Sequence, residues 1–260
     1  MTRDLTTYRL RRAPVTSVSL RIGFSAAPGL RNWMLAPFLS EMRNEGAAVE
    51  ELPPLVGSPD PFSLLDAPND EFEDVPSWPV PRTRFTSADR SIAVQGDELE
   101  VTWVFDAENA VSYPGFDELS REMSRLYHRL VASVDTHDVT ITPTIVECFY
   151  TNSVGGVTAA TLAVGVLTGW SSDTATPDPA HGYVGVRLHT CADPETHDCA
   201  SLVMVDSQDG GEAPVLAFRV GRRVGPDADA VAALAEAHDE LIALFKRHTS
   251  DDLRREWGEE

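Results

Sequence analysis

Lysine is nearly missing from this chain: Lys246 stands alone, and arginine supplies the rest of the 21 basic residues. Positive charge of any kind is scarce against 41 acidic residues, so the formal net charge is -20. A field of that sign repels phosphate backbones and anionic lipid surfaces, which disfavours direct nucleic-acid binding. The acidic side chains read first as a solvated face, with a basic protein partner as the sharper alternative. The arginine bias carries no functional message.

Long apolar runs are also lacking. The most continuous one, 157–170, is too short for a membrane span and is broken by Thr158, Thr161 and Thr168. Residues 1–13 carry Arg3, Arg9, Arg11 and Arg12 with no apolar core behind them, unlike a secretory signal. Cys148, Cys191 and Cys199 are an odd number of cysteines with no export signal, so reduced thiols and a cytoplasmic location are expected. Motifs of familiar chemistry are missing too: there is no G-x-S-x-G elbow, no phosphate-binding glycine loop and no H-E-x-x-H helix. No catalytic residue is therefore assigned.

What the chain does have is alternation and helical periodicity. Val18, Leu20, Ile22 and Phe24 have the period of a strand with one buried face. Leu30, Trp33, Met34, Phe38 and Met42 follow a helical pattern that Pro37 should kink or divide. From 53 to 81 eight prolines sit among acidic and small residues, which predicts a long surface loop, not a linker. Ser91 to Gln95 and Glu98 to Phe105 predict a hairpin around Gly96-Asp97, with Leu99, Val101, Trp103 and Phe105 on one face.

After Tyr113-Pro114-Gly115, the stripe Phe116, Leu119, Met123, Leu126, Leu130, Val134 predicts a long amphipathic helix. A strand is expected from Val139 to Tyr150, with Pro143 marking an edge or a bulge. The segment 157–168 is either a short helix or a buried strand. Strands follow at 183–190, 201–206 and 215–220, with a turn at Asp209-Gly210-Gly211. A second long helix carries Val231, Leu234, His238, Leu241, Ile242 and Phe245, and a short helix ends the chain.

This order predicts a single α+β domain over 1–260: a mostly antiparallel sheet with two or three long amphipathic helices on one face. Each half ends with a hairpin feeding a long helix, the pattern a duplicated hairpin-helix unit would leave. No residue-level repeat accompanies it.

Two sets of residues stand out for chemistry. His189, Cys191, His197 and Cys199 form two His-x-Cys pairs, and residues two apart on a strand face the same way. A hairpin carrying both pairs could gather two imidazoles and two thiolates as a soft tetrahedral zinc site, although plain loop residues explain the same letters. His238 lies on the apolar stripe of the last long helix, either as a ligand-contacting group or as a core histidine bonded to a carbonyl. Asn152, after Cys148-Phe149-Tyr150 at a strand end, could bind a ligand or cap a turn. The enzyme alternative places His238 and Asn152 in one pocket.

Arg84-Phe85-Thr86-Ser87, Leu99-Glu100-Val101-Thr102-Trp103, Tyr113-Pro114-Gly115-Phe116, Tyr150-Thr151-Asn152 and Ala237-His238-Asp239 are joined by Phe245, Thr249 and Trp257-Gly258. In these residues the chain resembles a sporadically distributed family of uncharacterised prokaryotic proteins of about this length. The Pro-rich loop and the His-Cys hairpin depart from that pattern. The resemblance implies no activity and no catalytic residues. It implies an accessory or binding protein; the leading expectation from the sequence as a whole is a protein that acts through a protein partner.

Overall fold

In the computed structural model, residues 8, 10–25, 30–44, 47–53, 81–105, 112–170, 183–191, 198–207 and 213–259 are described. The acidic Pro-rich segment, apart from its two ends, and the Asp209-Gly210-Gly211 turn fall outside them.

Nine strands form one antiparallel sheet: β1 (Val15–Ser25), β2 (Ala48–Leu52), β3 (Arg82–Thr86), β4 (Arg90–Val94), β5 (Glu98–Val104), β6 (Thr142–Ser153), β7 (Gly185–Cys191), β8 (Cys199–Asp206) and β9 (Val215–Arg223). Their order across the sheet is β2-β3-β4-β5-β1-β6-β9-β8-β7. The fold is thus α+β, with five α-helices among the described residues: α1 (Ala36–Asn44), α2 (Phe116–Asp135), α3 (Ala159–Thr168), α4 (Ala230–His248) and α5 (Asp251–Glu256).

The order is nearly symmetric about the β1–β6 pair, with five strands on the β1 side and four on the β6 side. On each side an opening strand at the centre is followed by a helical segment, then by a meander that returns to lie beside it, then by a long helix. The meander is β2 to β5 before α2, and β7 to β9 before α4. Such mirrored halves are the arrangement that a repeated hairpin-helix unit would build.

The alternating residues decide which face is covered. Val18, Leu20 and Ile22 of β1 stand opposite Trp103, Val101 and Leu99 of β5, and opposite Tyr150, Cys148 and Val146 of β6. All nine are buried. Against this face α2 buries Leu119, Met123, Leu126, Leu130 and Val134, and α4 buries Leu234, Ala237, Leu241, Leu244 and Phe245. At roughly 1.5–3 kcal/mol for each fully buried large apolar side chain, these two stripes are the main attachment of helices to sheet.

Several local expectations need adjustment. Pro143 sits in β6 at the centre of the sheet, not at an edge, and the ladder with β1 shifts register where Phe24 meets Pro143, as a bulge at a residue without an N–H requires. Phe105 does not continue the inward face of β5; it lies beyond the strand end and is 45% exposed. The ambiguous segment 157–168 is helix α3, capped by the Thr158 side chain accepting from the Thr161 N–H. A 3-10 turn over Asn32–Leu35 precedes α1, so Pro37 falls in the first helical turn, where a missing N–H is tolerated.

The opposite face of the sheet carries charge. Glu147 of β6 is clasped by Arg21 of β1 and Arg219 of β9, and Glu98 of β5 by Arg21 and by Arg82 of β3, which also pairs with Glu100. Burial raises the Glu98 and Glu147 carboxyls above the usual carboxylate range against the opposing pull of the arginines. No helix among the described residues is long and apolar enough to cross a membrane.

Candidate functional site: a cavity between the sheet and the two long helices

The two chain ends meet beside α4. Thr249 Oγ1 donates to the Phe245 carbonyl at 2.6 Å, and the Trp257 ring lies 5.8 Å from that of Phe245. The Arg12 N–H donates to the Trp257 carbonyl at 2.9 Å. Gly258 makes the approach work: its φ is +83°, and a Cβ there would sit 2.8 Å from Cβ of Arg11. The segment from Leu10 to Pro14 is thereby tied down next to the helices.

Between that segment, the ends of β5 and β6, the start of α2 and the middle of α4 lies a cavity of about 540 Å³, within the range of small-molecule sites. A chain of aromatic rings runs through its wall. Trp103 and Tyr113 lie 5.3 Å apart, Tyr113 and Tyr150 6.1 Å apart, and Tyr150 and His238 5.8 Å apart. His238 stacks on Phe116, with centroids 3.9 Å apart and planes 8° from parallel. Leu241, Ile242 and Phe245 of α4 complete the apolar side.

Few polar groups enter this wall. The Tyr113 and Tyr150 hydroxyls are hydrogen-bonded at 2.7 Å, and burial holds the Tyr150 phenol well above its usual range, so it keeps its proton. Asn152 Nδ2 donates to the Leu216 carbonyl at 2.9 Å, which fixes the amide so that its other end is an acceptor. That acceptor, Asn152 Oδ1, and the donor Trp103 Nε1 are both buried with no hydrogen-bond partner among the described residues. Among the described residues no acidic side chain lines the cavity, and its formally charged liners are Arg11 and Arg12.

The His238 ring has no hydrogen-bond partner among the described residues. Burial lowers its pKa to about 4, against a small upward pull from Asp117, so the imidazole is neutral at pH 7. This differs from a core histidine anchored to a carbonyl. It is a neutral, flat, partly polar wall element.

The structure brings His238 and Asn152 into one cavity, as the pocket alternative requires. It does not bring the zinc candidates His189 and Cys199 together. His189 pairs with Leu202, on the same sheet face as Ala200, and is exposed. Cys199, next to Ala200, alternates to the opposite face and is buried. His197 and the Cys191 side chain lie outside the described residues. No group of three or more metal-ligating side chains occurs among the described residues.

In the sequence, Trp103, Tyr113 and Phe116 are strand, turn and helix positions that also carry the resemblance, and nothing there gives them a place in a site. Their place in the wall could have been signalled by Tyr150 and Asn152, two apart on one strand face. Only the fold adds Trp103 two strands away.

No known protein family matches this chain, and no curated protein is similar to it. Among solved structures, it is similar to the di-domain ARO/CYC StfQ from the steffimycin biosynthetic pathway at 12% identity and a TM-score of 0.24. The alignment covers 92% of this chain and 98% of that one. At this level the likeness supports neither a fold assignment nor a function.

Proposed function

We propose that the chain is a binding protein for a small, mainly apolar organic molecule, held in the cavity between the sheet and helices α2 and α4. One observation carries the reading. Trp103 and Asn152, two residues of the wall of the same cavity, bury a donor, Nε1, and an acceptor, Oδ1, that have no hydrogen-bond partner among the described residues. Each such group costs roughly 1–3 kcal/mol if left unmatched. Water in the cavity does not reach either atom, so a ligand with an acceptor and a donor meets them only when the wall gives way, while the rings receive its apolar body.

Binding is favoured over catalysis by the chemistry of the wall. A histidine with a pKa near 4 is a weak general base at neutral pH, and no carboxylate among the liners assists it. The binding or accessory role expected from sequence is retained, with a small molecule as the first occupant instead of a protein partner.

The test is titration of the full chain with the neutral fluorophore N-phenyl-1-naphthylamine, beside Ile242→Trp, which fills the cavity from α4. Saturable binding at one site per chain, lost in the folded variant, is expected. Binding that ignores the variant, or no saturable binding, contradicts the reading.

A further inference from the structure

The cavity mouth differs in charge from the rest of the molecule. In a chain with 41 acidic and 21 basic residues, a random charged liner is twice as often acidic as basic, yet the formally charged liners are Arg11 and Arg12. Many arginines, Arg21 on β1 and Arg255 on α5 among them, pair with carboxylates, while Arg31 and Arg121 donate to backbone carbonyls. The Arg12 guanidinium donates through Nη2 to the Glu256 carbonyl and pairs with no carboxylate among the described residues. Its backbone N–H is tied to the Trp257 carbonyl. The side chain is therefore anchored at both ends by neutral acceptors, with guanidinium donors to spare.

We infer that the ligand is an amphipathic anion, whose apolar body lies against the aromatic wall and whose acidic oxygen group is met at the mouth by Arg12. This rests on the small-molecule reading above. The interior can neither hold nor offset a charge: the Tyr150 phenol and His238 are neutral, and no ion partner lines it among the described residues. A charged group on the ligand must then remain at the wet end, where a guanidinium offers two parallel donors to carboxylate or phosphate oxygens. The net field of the protein repels anions, so a local cation is the feature such a ligand needs.

The test compares two probes that share one body. N-Phenyl-1-naphthylamine is neutral, and 8-anilinonaphthalene-1-sulfonate adds a single anionic group. In the full chain the sulfonate is expected to bind about tenfold more tightly, the scale of one charge-assisted contact. Arg12→Gln should remove that advantage, so that the two probes bind the variant with equal affinity. Arg12→Lys should keep part of the advantage.

Equal affinities in the native protein, or an advantage that survives Arg12→Gln, overturn the inference. If the neutral probe still responds to Ile242→Trp in that case, the cavity reading stands alone. Failure of both probes to bind removes both. If Arg12→Gln loses both probes, Arg12→Lys decides. Recovery of the neutral probe together with a sulfonate advantage supports charge recognition; continued loss of both makes Arg12 merely structural and overturns it. Competition by 1-naphthylacetate or by 1-naphthyl phosphate identifies a carboxylate or a phosphate head, and competition by neither overturns the inference.

Discussion

His238 lies face to face with Phe116, 3.9 Å away and 8° from parallel, and this contact joins the middle of α4 to the first residue of α2. The imidazole is buried there in its neutral form. Its pKa falls from 6.5 to about 4 because burial penalises the charged ring. Below pH 6.5 the unfolded chain takes up a proton that the folded chain does not, so stability is fully present above pH 6.5 and falls as the pH drops towards 4. The full span corresponds to about 3 kcal/mol. His238→Phe should flatten this part of the curve, measured as the difference in unfolding free energy between the two proteins at pH 4.5 and 7. Parallel curves would show that the ring titrates normally.

Glu147 is clasped by Arg21 and Arg219 on the charged side of the sheet. Removing one partner strands buried cations, so Glu147→Ala should cost about 3–5 kcal/mol in denaturant unfolding. A loss below about 1 kcal/mol would mean that the network is solvated, as surface pairs are.

Gly258 has φ +83° and faces Cβ of Arg11. Gly258→Ala imposes a left-handed backbone on a residue with a Cβ and pushes the N-terminal segment away, so about 1–3 kcal/mol should be lost. Trypsin cleavage after Arg11 and Arg12 should quicken. Unchanged cleavage would show that the two ends do not hold each other.

Gly165 in α3 is covered by the Trp170 ring, and an added Cβ would lie 2.6 Å from it. Trp170 Nε1 donates to the His248 carbonyl at 2.9 Å and so links α3 to the end of α4. Gly165→Ala should displace the ring, redden the tryptophan emission and cost about 1–3 kcal/mol by overpacking. An unaltered emission spectrum would contradict that packing.

Much of the fold was legible because its elements state their period openly. Val18, Leu20 and Ile22 alternate, and Leu119 to Val134 and Leu234 to Phe245 repeat at helical spacing. β2 was not, since Ala48-Val49-Glu50-Glu51-Leu52 is acidic and largely exposed and shows no buried face. β3 was missed for a related reason: Arg82 and Thr83 are buried through sheet partners that the local sequence does not show. His238 and Asn152 could be singled out by type and position. Trp103, Tyr113 and Arg12 could not, because their meeting depends on which strands are neighbours and on how the chain ends join. Of the four His-Cys letters, strand alternation puts His189 and Cys199 on opposite faces, while His197 and the Cys191 side chain lie outside the described residues.

The most direct test of small-molecule binding follows the indole N–H of Trp103 by NMR, assigned by Trp103→Phe, as the neutral naphthylamine is added to the full chain. If that N–H reads the ligand, its resonance moves in step with saturation of the cavity, and the movement is lost in Ile242→Trp. A Trp103 signal that stays in place while the probe saturates would put the ligand elsewhere and contradict the assignment of this cavity.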